Sequence, residues 1–273
     1  MFGGSTSFKD VDIFGGVSFS QTKFEQVTDF TNLTVTNAPF NPELDTVPGS
    51  PLGRTLYPPS QFAILRTQFE SSVNLSVKVE GTASIEDFTY SGVASNVSIF
   101  ASDKVLLNRV SLESFNVLIL SSDTLVAVSR VQMHGGGELK IAAPQLELTN
   151  FTCARPVTAS HSADQLPDAP TTKLTTLAGT NCDGLTLEDF DYRDTRFLGA
   201  TNLELLIVGG EFTLLSTGRQ YARRYVLWEE TLTRSTNYWH NLAGLSHSED
   251  YPPPDQRRLA AVYRLFRLSG GLV

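Results

Sequence analysis

Apolar positions along the chain fall into a recurring figure, apolar-x-x-apolar-x-apolar. It stands at Ile85/Phe88/Tyr90, Leu107/Val110/Leu112, Val128/Val131/Met133, Leu148/Phe151/Cys153 and Leu187/Phe190/Tyr192, with first members 22, 21, 20 and 39 residues apart. The last step is close to two periods, and an earlier copy stands at Val35/Ala38/Phe40. Two more copies, at 13–19 and 208–214, carry one extra residue and a glycine pair and keep the beat. Ahead of the figure runs an alternating stretch, Leu75/Val77/Val79, Val97/Ile99, Val117/Ile119 or Leu139/Ile141, which reads as a strand with one buried face. Small or acidic residues separate the two segments, as in Glu80-Gly81-Thr82, Ser102-Asp103, Ser122-Asp123 and Ala143-Pro144.

Two short strands in every 20–22 residues, with the same face apolar each time, predict the coil of a parallel β-solenoid. Each coil bonds to the next at about 4.8 Å, and its inward residues stack in columns. A β-sandwich or barrel shares the short strands and the Ser/Thr-rich composition but does not hold one register through successive copies. The five-residue beat of a pentapeptide-repeat helix shows locally at Phe190, Phe197 and Asn202-Leu203 and fails elsewhere. Left-handed solenoids rest on hexapeptides, and no six-residue beat is present. The spacing and the bend between strands resemble right-handed parallel β-helices, the architecture of pectin-lyase-like proteins, over residues 10–216. The resemblance is at the level of fold. It implies an all-β, right-handed parallel β-helix of about 8–9 coils.

Proline marks the interruptions. Six of the 13 prolines fall at 39–59, three at 156–170 and three at 252–254, and none lies from Ser60 to Ala143. Proline cannot donate to a ladder, so a β-helix domain over 1–217 is expected to carry loop excursions near 41–70 and 155–172. From Gly218 the composition changes. Segment 218–273 holds Trp228, Trp239 and 8 of the 15 arginines, with no lysine and five acids, a net of +3 against −11 for the rest. Residues 255–268 read as an amphipathic helix, with Asp255 as N-cap, a stripe of Leu259, Val262, Tyr263 and Phe266, and Gly270-Gly271 beyond it. That stripe has two uses. It can seal the last coil as an aromatic and helical cap, or, with Arg257, Arg258 and Arg264, dock a partner subunit.

The composition is that of a soluble globular chain: 41% hydrophobic and 18% charged, with a mean hydropathy of −0.08. A helical bundle is excluded by 54 Ser and Thr against 6 Lys. No apolar run approaches the roughly 20 residues of a membrane span, and the first residues lack the basic and apolar segments of a secretory signal. A pI of 5.0 and arginines without interleaved stacking aromatics argue against nucleic acid. Cys153 and Cys182 read as core residues rather than a disulfide framework. The Asn-x-Ser/Thr triplets at Asn32, Asn74, Asn96 and Asn150 are weak signals for glycosylation. The four histidines show no metal-ligand spacing.

Asn181-Cys182-Asp183-Gly184 resembles the Asn-Thr-Asp-Gly motif of polygalacturonase-like glycosidases, which work with paired aspartates. The later motifs of that family are missing: one coil on stands only Glu204, and His134-Gly135 precedes the motif instead of following it. A turn built on Asn181 and Gly184 is the plainer reading. Glu188, Asp189, Asp191 and Asp194 follow, with Asp189 and Asp191 expected to face outward. Pectate-lyase-like proteins hold Ca2+ on such carboxylates beside an Arg or Lys base, and Arg193 and Arg196 are the local candidates; a solvated acidic face is the alternative. Without a complete constellation, the expected role is a non-enzymatic structural or adhesive module, with no cofactor. By resemblance of fold it belongs to a virion or appendage, as a spike, tail or capsid-associated protein, in a homo-oligomer, foremost a trimer, or with other structural proteins and with a glycan as a possible ligand. The alternative is a polysaccharide lyase or glycoside hydrolase using Asp183, Asp189 and Asp191.

Overall fold

The periodic figure has a backbone cause. In a plain strand, side chains alternate, so two outward residues in succession would turn the next apolar one to solvent. Here the residue before the second apolar member takes the left-handed conformation: Arg66 (φ 49°), Asp87 (52°), Arg109 (55°), Arg130 (54°) and Asn150 (51°). One such residue absorbs a pleat, as in a β-bulge, so Ile85 and Phe88, or Leu107 and Val110, both turn inward and are buried. A computed structural model describes residues 1–36, 61–92, 95–114, 116–163, 170–197, 199–217, 224–226 and 256–268, and in it these corners lie one above another.

Apart from a short antiparallel pair, Leu215–Thr217 with Arg224–Val226, the described strands form two parallel sheets wound as a β-helix of about eight turns. The first runs Thr6–Lys9, Thr28–Thr36, Val73–Val79, Ser95–Ala101, Asn116–Ser122, Gly137–Ala142, Val157–His161, Leu185–Glu188, Ile207–Gly209. The second runs Val17–Ser20, Gln61–Leu65, Thr82–Tyr90, Lys104–Leu112, Leu125–Met133, Gln145–Thr149, Lys173–Thr176. Register is kept from coil to coil. Leu75, Val97, Leu118, Leu139, Ala159, Leu187 and Val208 are successive partners in the first sheet. Ile64, Ile85, Leu107, Val128 and Leu148 are successive partners in the second. All of them are buried, so each coil supplies the floor for the next.

Several expectations need correction. Phe88, Val110 and Val131 do stack in one file, but Leu187, Val35, Ile13 and Val208 belong to the first sheet, where Leu187 meets Ala159 and Val35 meets Val79. Phe190, which follows Leu187, is therefore outside that file, and the step of 39 residues joins different sheets. The missed rungs of the second sheet are Ile64/Thr67/Phe69 and Phe19/Thr22/Phe24. Thr67 fills an apolar place there: it is buried, and its hydroxyl donates to Leu65 O at 3.0 Å. Val117 and Ile119 face outward, because Leu118 and Leu120 take the inward columns beside Val97 and Ile99. In the unbroken run Val117-Leu118-Ile119-Leu120 alternation carries no phase.

The excursions are also narrower than the prolines imply. Gln61–Leu65 and Gln68–Phe69 are regular rungs, as is Val157–His161. What remains, 37–60 and 164–169, lies outside the described residues, as do both tryptophans. The expected C-terminal helix is present as α1 (Gln256–Leu268). It covers the last coil, with the Phe266 ring 5.2 Å from Tyr192, 5.4 Å from Phe212 and 6.2 Å from Phe197.

Outside, polar ladders follow the same beat. The Arg109 guanidinium bridges Glu86 and Asp87 of the previous coil, with Nη2 2.9 Å from Asp87 Oδ2, and holds the Asp87 carboxyl below its usual range. Asn32 Nδ2 donates to Asp10 at 2.9 Å and Asn202 Nδ2 to Asn181 at 2.8 Å. Exposed pairs of this kind are screened by solvent and add little, so the interior columns carry the stability. Leu107→Ala is expected to cost about 2–5 kcal/mol. At the exposed left-handed corner, Arg130→Gly is expected to stay within about 1 kcal/mol, because relief of steric strain offsets the entropy of glycine. Urea unfolding midpoints of the two variants check this.

Candidate functional site: the acidic turns at 181–194

Past the sheets' regular middle the chain turns every five residues. Thr180 N donates to Leu177 O, Leu185 N to Cys182 O, Thr195 N to Tyr192 O, Ala200 N to Phe197 O and Leu205 N to Asn202 O, at 3.0–3.2 Å. Cys182, Tyr192 and Phe197 point inward from these turns, as do Thr180, Phe190 and Thr195 two residues earlier, and Leu185, Leu187 and Ala200 are buried beside them. The local five-residue beat at Phe190 and Phe197 is thus real over this stretch. It places Asp183, Asp189 and Asp191 at three different points of the winding.

Asp183 is exposed on the turn that Asn181 and Gly184 make: its N–H donates to Asn181 Oδ1 at 3.2 Å, and Gly184 has φ +74°. Its carbonyl accepts from Cys153 Sγ at 3.1 Å. The motif is a turn locked onto the previous coil. Asp189 occupies a left-handed corner, φ 61°, and its Oδ1 accepts the Glu211 N–H of the next coil at 2.8 Å. Gly210 lies directly against it: a Cβ there would sit 2.1 Å from Asp189 Oδ1.

Asp191, expected to be solvated, is only 4% exposed. Its carboxylate is covered by Arg193, whose backbone N–H and Nε donate to Oδ1 at 3.0 Å and whose Nη2 donates to Oδ2 at 2.6 Å. Asp194 pairs with Lys173 at 2.7 Å. Arg193, offered above as a base, is therefore held as a cation by Asp191. Among the described residues no three His, Cys, Asp or Glu side chains are grouped to hold a metal ion.

Near this corner His161 Nδ1 lies 2.9 Å from the hydroxyl of the buried Thr172. Burial lowers the His161 pKa, against the pull of Asp189. Burial pushes the Cys182 thiol up to about 12, and the neighbouring Cys153 upward as well. Neither cysteine is in a disulfide. The Tyr192 hydroxyl is buried without a hydrogen-bond partner. The triplet asparagines are all exposed, and Asn32 and Asn150 stand at left-handed corners, where asparagine is favoured for its conformation alone.

The docking stripe is used within the chain. Val262 and Phe266 are buried on the last coil and Tyr263 is half-buried, so the stripe packs against the coil stack. Arg264 remains exposed, lining with Glu204, Ile207 and Leu265 a cleft of about 320 Å³ beside the last strand. The side chains of Arg257, Arg258 and Leu259 lie outside the described residues. No protein-family model, curated protein or solved structure matches the chain.

Two outcomes follow from the buried groups. Between pH 9 and about 12 the folded chain holds the Cys182 proton more tightly than the unfolded chain does. Stability from this group is complete below pH 9 and declines as pH rises toward 12, a limb that Cys182→Ala flattens in denaturation measured against pH. Tyr192→Phe removes an unpaired hydroxyl and is expected to leave thermal stability unchanged or raise it by about 1–2 kcal/mol.

Proposed function

We propose that the chain is a non-enzymatic β-helix module with a structural or adhesive role, a component of a virion or appendage such as a spike, tail or capsid-associated protein. The observation that carries this reading is the use made of the candidate carboxylates. Asp183, Asp189 and Asp191 each serve a turn or a corner: one sits in the Asn181–Gly184 turn, one accepts the next coil's N–H, and one is buried under Arg193. General acid–base catalysis asks instead for two carboxyls converging on one bond.

The polar ladders support the same reading. They run along the stack from coil to coil and stiffen a rod, as in the Asp10–Asn32, Asp87–Arg109 and Asn181–Asn202 pairs. The placement in a particle or appendage rests on analogy of fold. Assays on uronic-acid polymers and a broad glycan panel, with and without Ca2+, are expected to show no depolymerisation. Turnover that is lost in Asp183→Asn would overturn the reading in favour of a carbohydrate-active enzyme.

A further inference from the structure

The two ends of the coil stack differ. At the last coil Val262, Leu265 and Phe266 are buried, with Phe266 against Tyr192, Phe197 and Phe212. Among the described residues nothing covers the first coil. Its inward side chains Phe8, Val11, Ile13, Val17 and Phe19 are only partly buried. Their neighbours one coil on, Phe30, Leu33, Val35, Phe62 and Ile64, are all buried. Phe2 and Phe14 are 44% and 65% exposed. The phenyl stacks Phe69–Phe24–Phe2 and Phe30–Phe8 end on this face, with ring spacings of 4.6–5.1 Å. Among the described residues the strands Thr6–Lys9, Asp12–Phe14 and Val17–Ser20 each pair on one side only, with the other edge turned to the open face.

We propose that this face is an interface and that a second copy of the chain occupies it, first coil to first coil, in a twofold dimer. The assignment rests on the structural role proposed above and names its partner. Such a face needs apolar cover and backbone partners together, and another free coil edge supplies both. The first coil carries both signs of charge, Lys9 and Lys23 with Asp10, Asp12 and Glu25, so a second copy meets no uniform repulsion. Two sheets about 10 Å apart, with their side chains and strands of up to nine residues, give a cross-section of roughly 20 by 30 Å, or on the order of 1,200 Å² over both copies, the lower bound of a stable interface. At the other end the helix covers Tyr192, Phe197 and Phe212, so the apolar interior is offered to a partner mainly at the first coil.

Light scattering of the full chain at micromolar concentrations tests this. The expected mass is twice 29.9 kDa. Phe2→Asp with Phe14→Asp, both at exposed rings, is expected to weaken the dimer by roughly tenfold or more with circular dichroism unchanged, whereas Ile207→Asp at the far end leaves it intact. Amide exchange over residues 6–20 should slow as concentration rises. A single-chain mass overturns the proposal and means that the chain covers the face itself or leaves it bare; a threefold mass overturns it as well. A dimer insensitive to the Phe2 and Phe14 substitutions removes this face while leaving the structural role standing. Glycan turnover in the assays above would remove that role without touching the dimer.

Discussion

Everything in this molecule depends on the in-register parallel ladder between coils. A single winding of some twenty residues cannot bury its own interior, because its strands enclose a core only one residue thick. Burial comes from the windings above and below, which present the same kind of side chain at the same place. The ladder enforces that identity: once Val97 is paired with Leu118 and Leu118 with Leu139, their side chains must share a column. A change in one rung is therefore felt by two others, and any residue that breaks register breaks three coils.

The left-handed corners make this ladder possible. They let the chain bend while keeping inward residues on both sides of the bend, and their stacking brings Asp87 beside Arg109 and Asn32 beside Asp10. The side chains that looked most like chemistry, Asp183, Asp189 and Asp191, are drawn into the same task in the coils that turn every five residues. Their oxygens and backbone groups hold turns together across one coil spacing. Such a molecule has its exposed chemistry spread along its length, one rung per coil.

Much of the architecture was legible because repetition is a one-dimensional signal. Ile85, Leu107, Val128 and Leu148 are partners in space as they are in the pattern. Legibility failed where the pattern was ambiguous in itself. Thr67 hid a rung because a threonine that satisfies its own hydroxyl can stand in an apolar column. Val117 and Ile119 were assigned inward because four apolar residues in a row have no phase. Leu187 writes the same figure as Ile85 from the other sheet, because both sheets bend at left-handed corners, Asp189 in one and Asp87 in the other. Around the candidate site, the Asn181–Gly184 turn was legible from turn chemistry. The burial of Asp191 was not, since only the fold sets how far Arg193 reaches back over it.

By itself, then, the order of residues determined the period, the strand content, the apolar interior and the terminal helix, all of which are properties of spacing along the chain. The tertiary structure alone decided which copies share a sheet, that Val117 and Ile119 face out, and that Val262 and Phe266 pack on the last coil while Phe2 and Phe14 are exposed at the first. The reason is physical. Periodicity says which residues want to be buried, but what lies against them is set by neighbours some twenty residues away or further in sequence and one coil away in space.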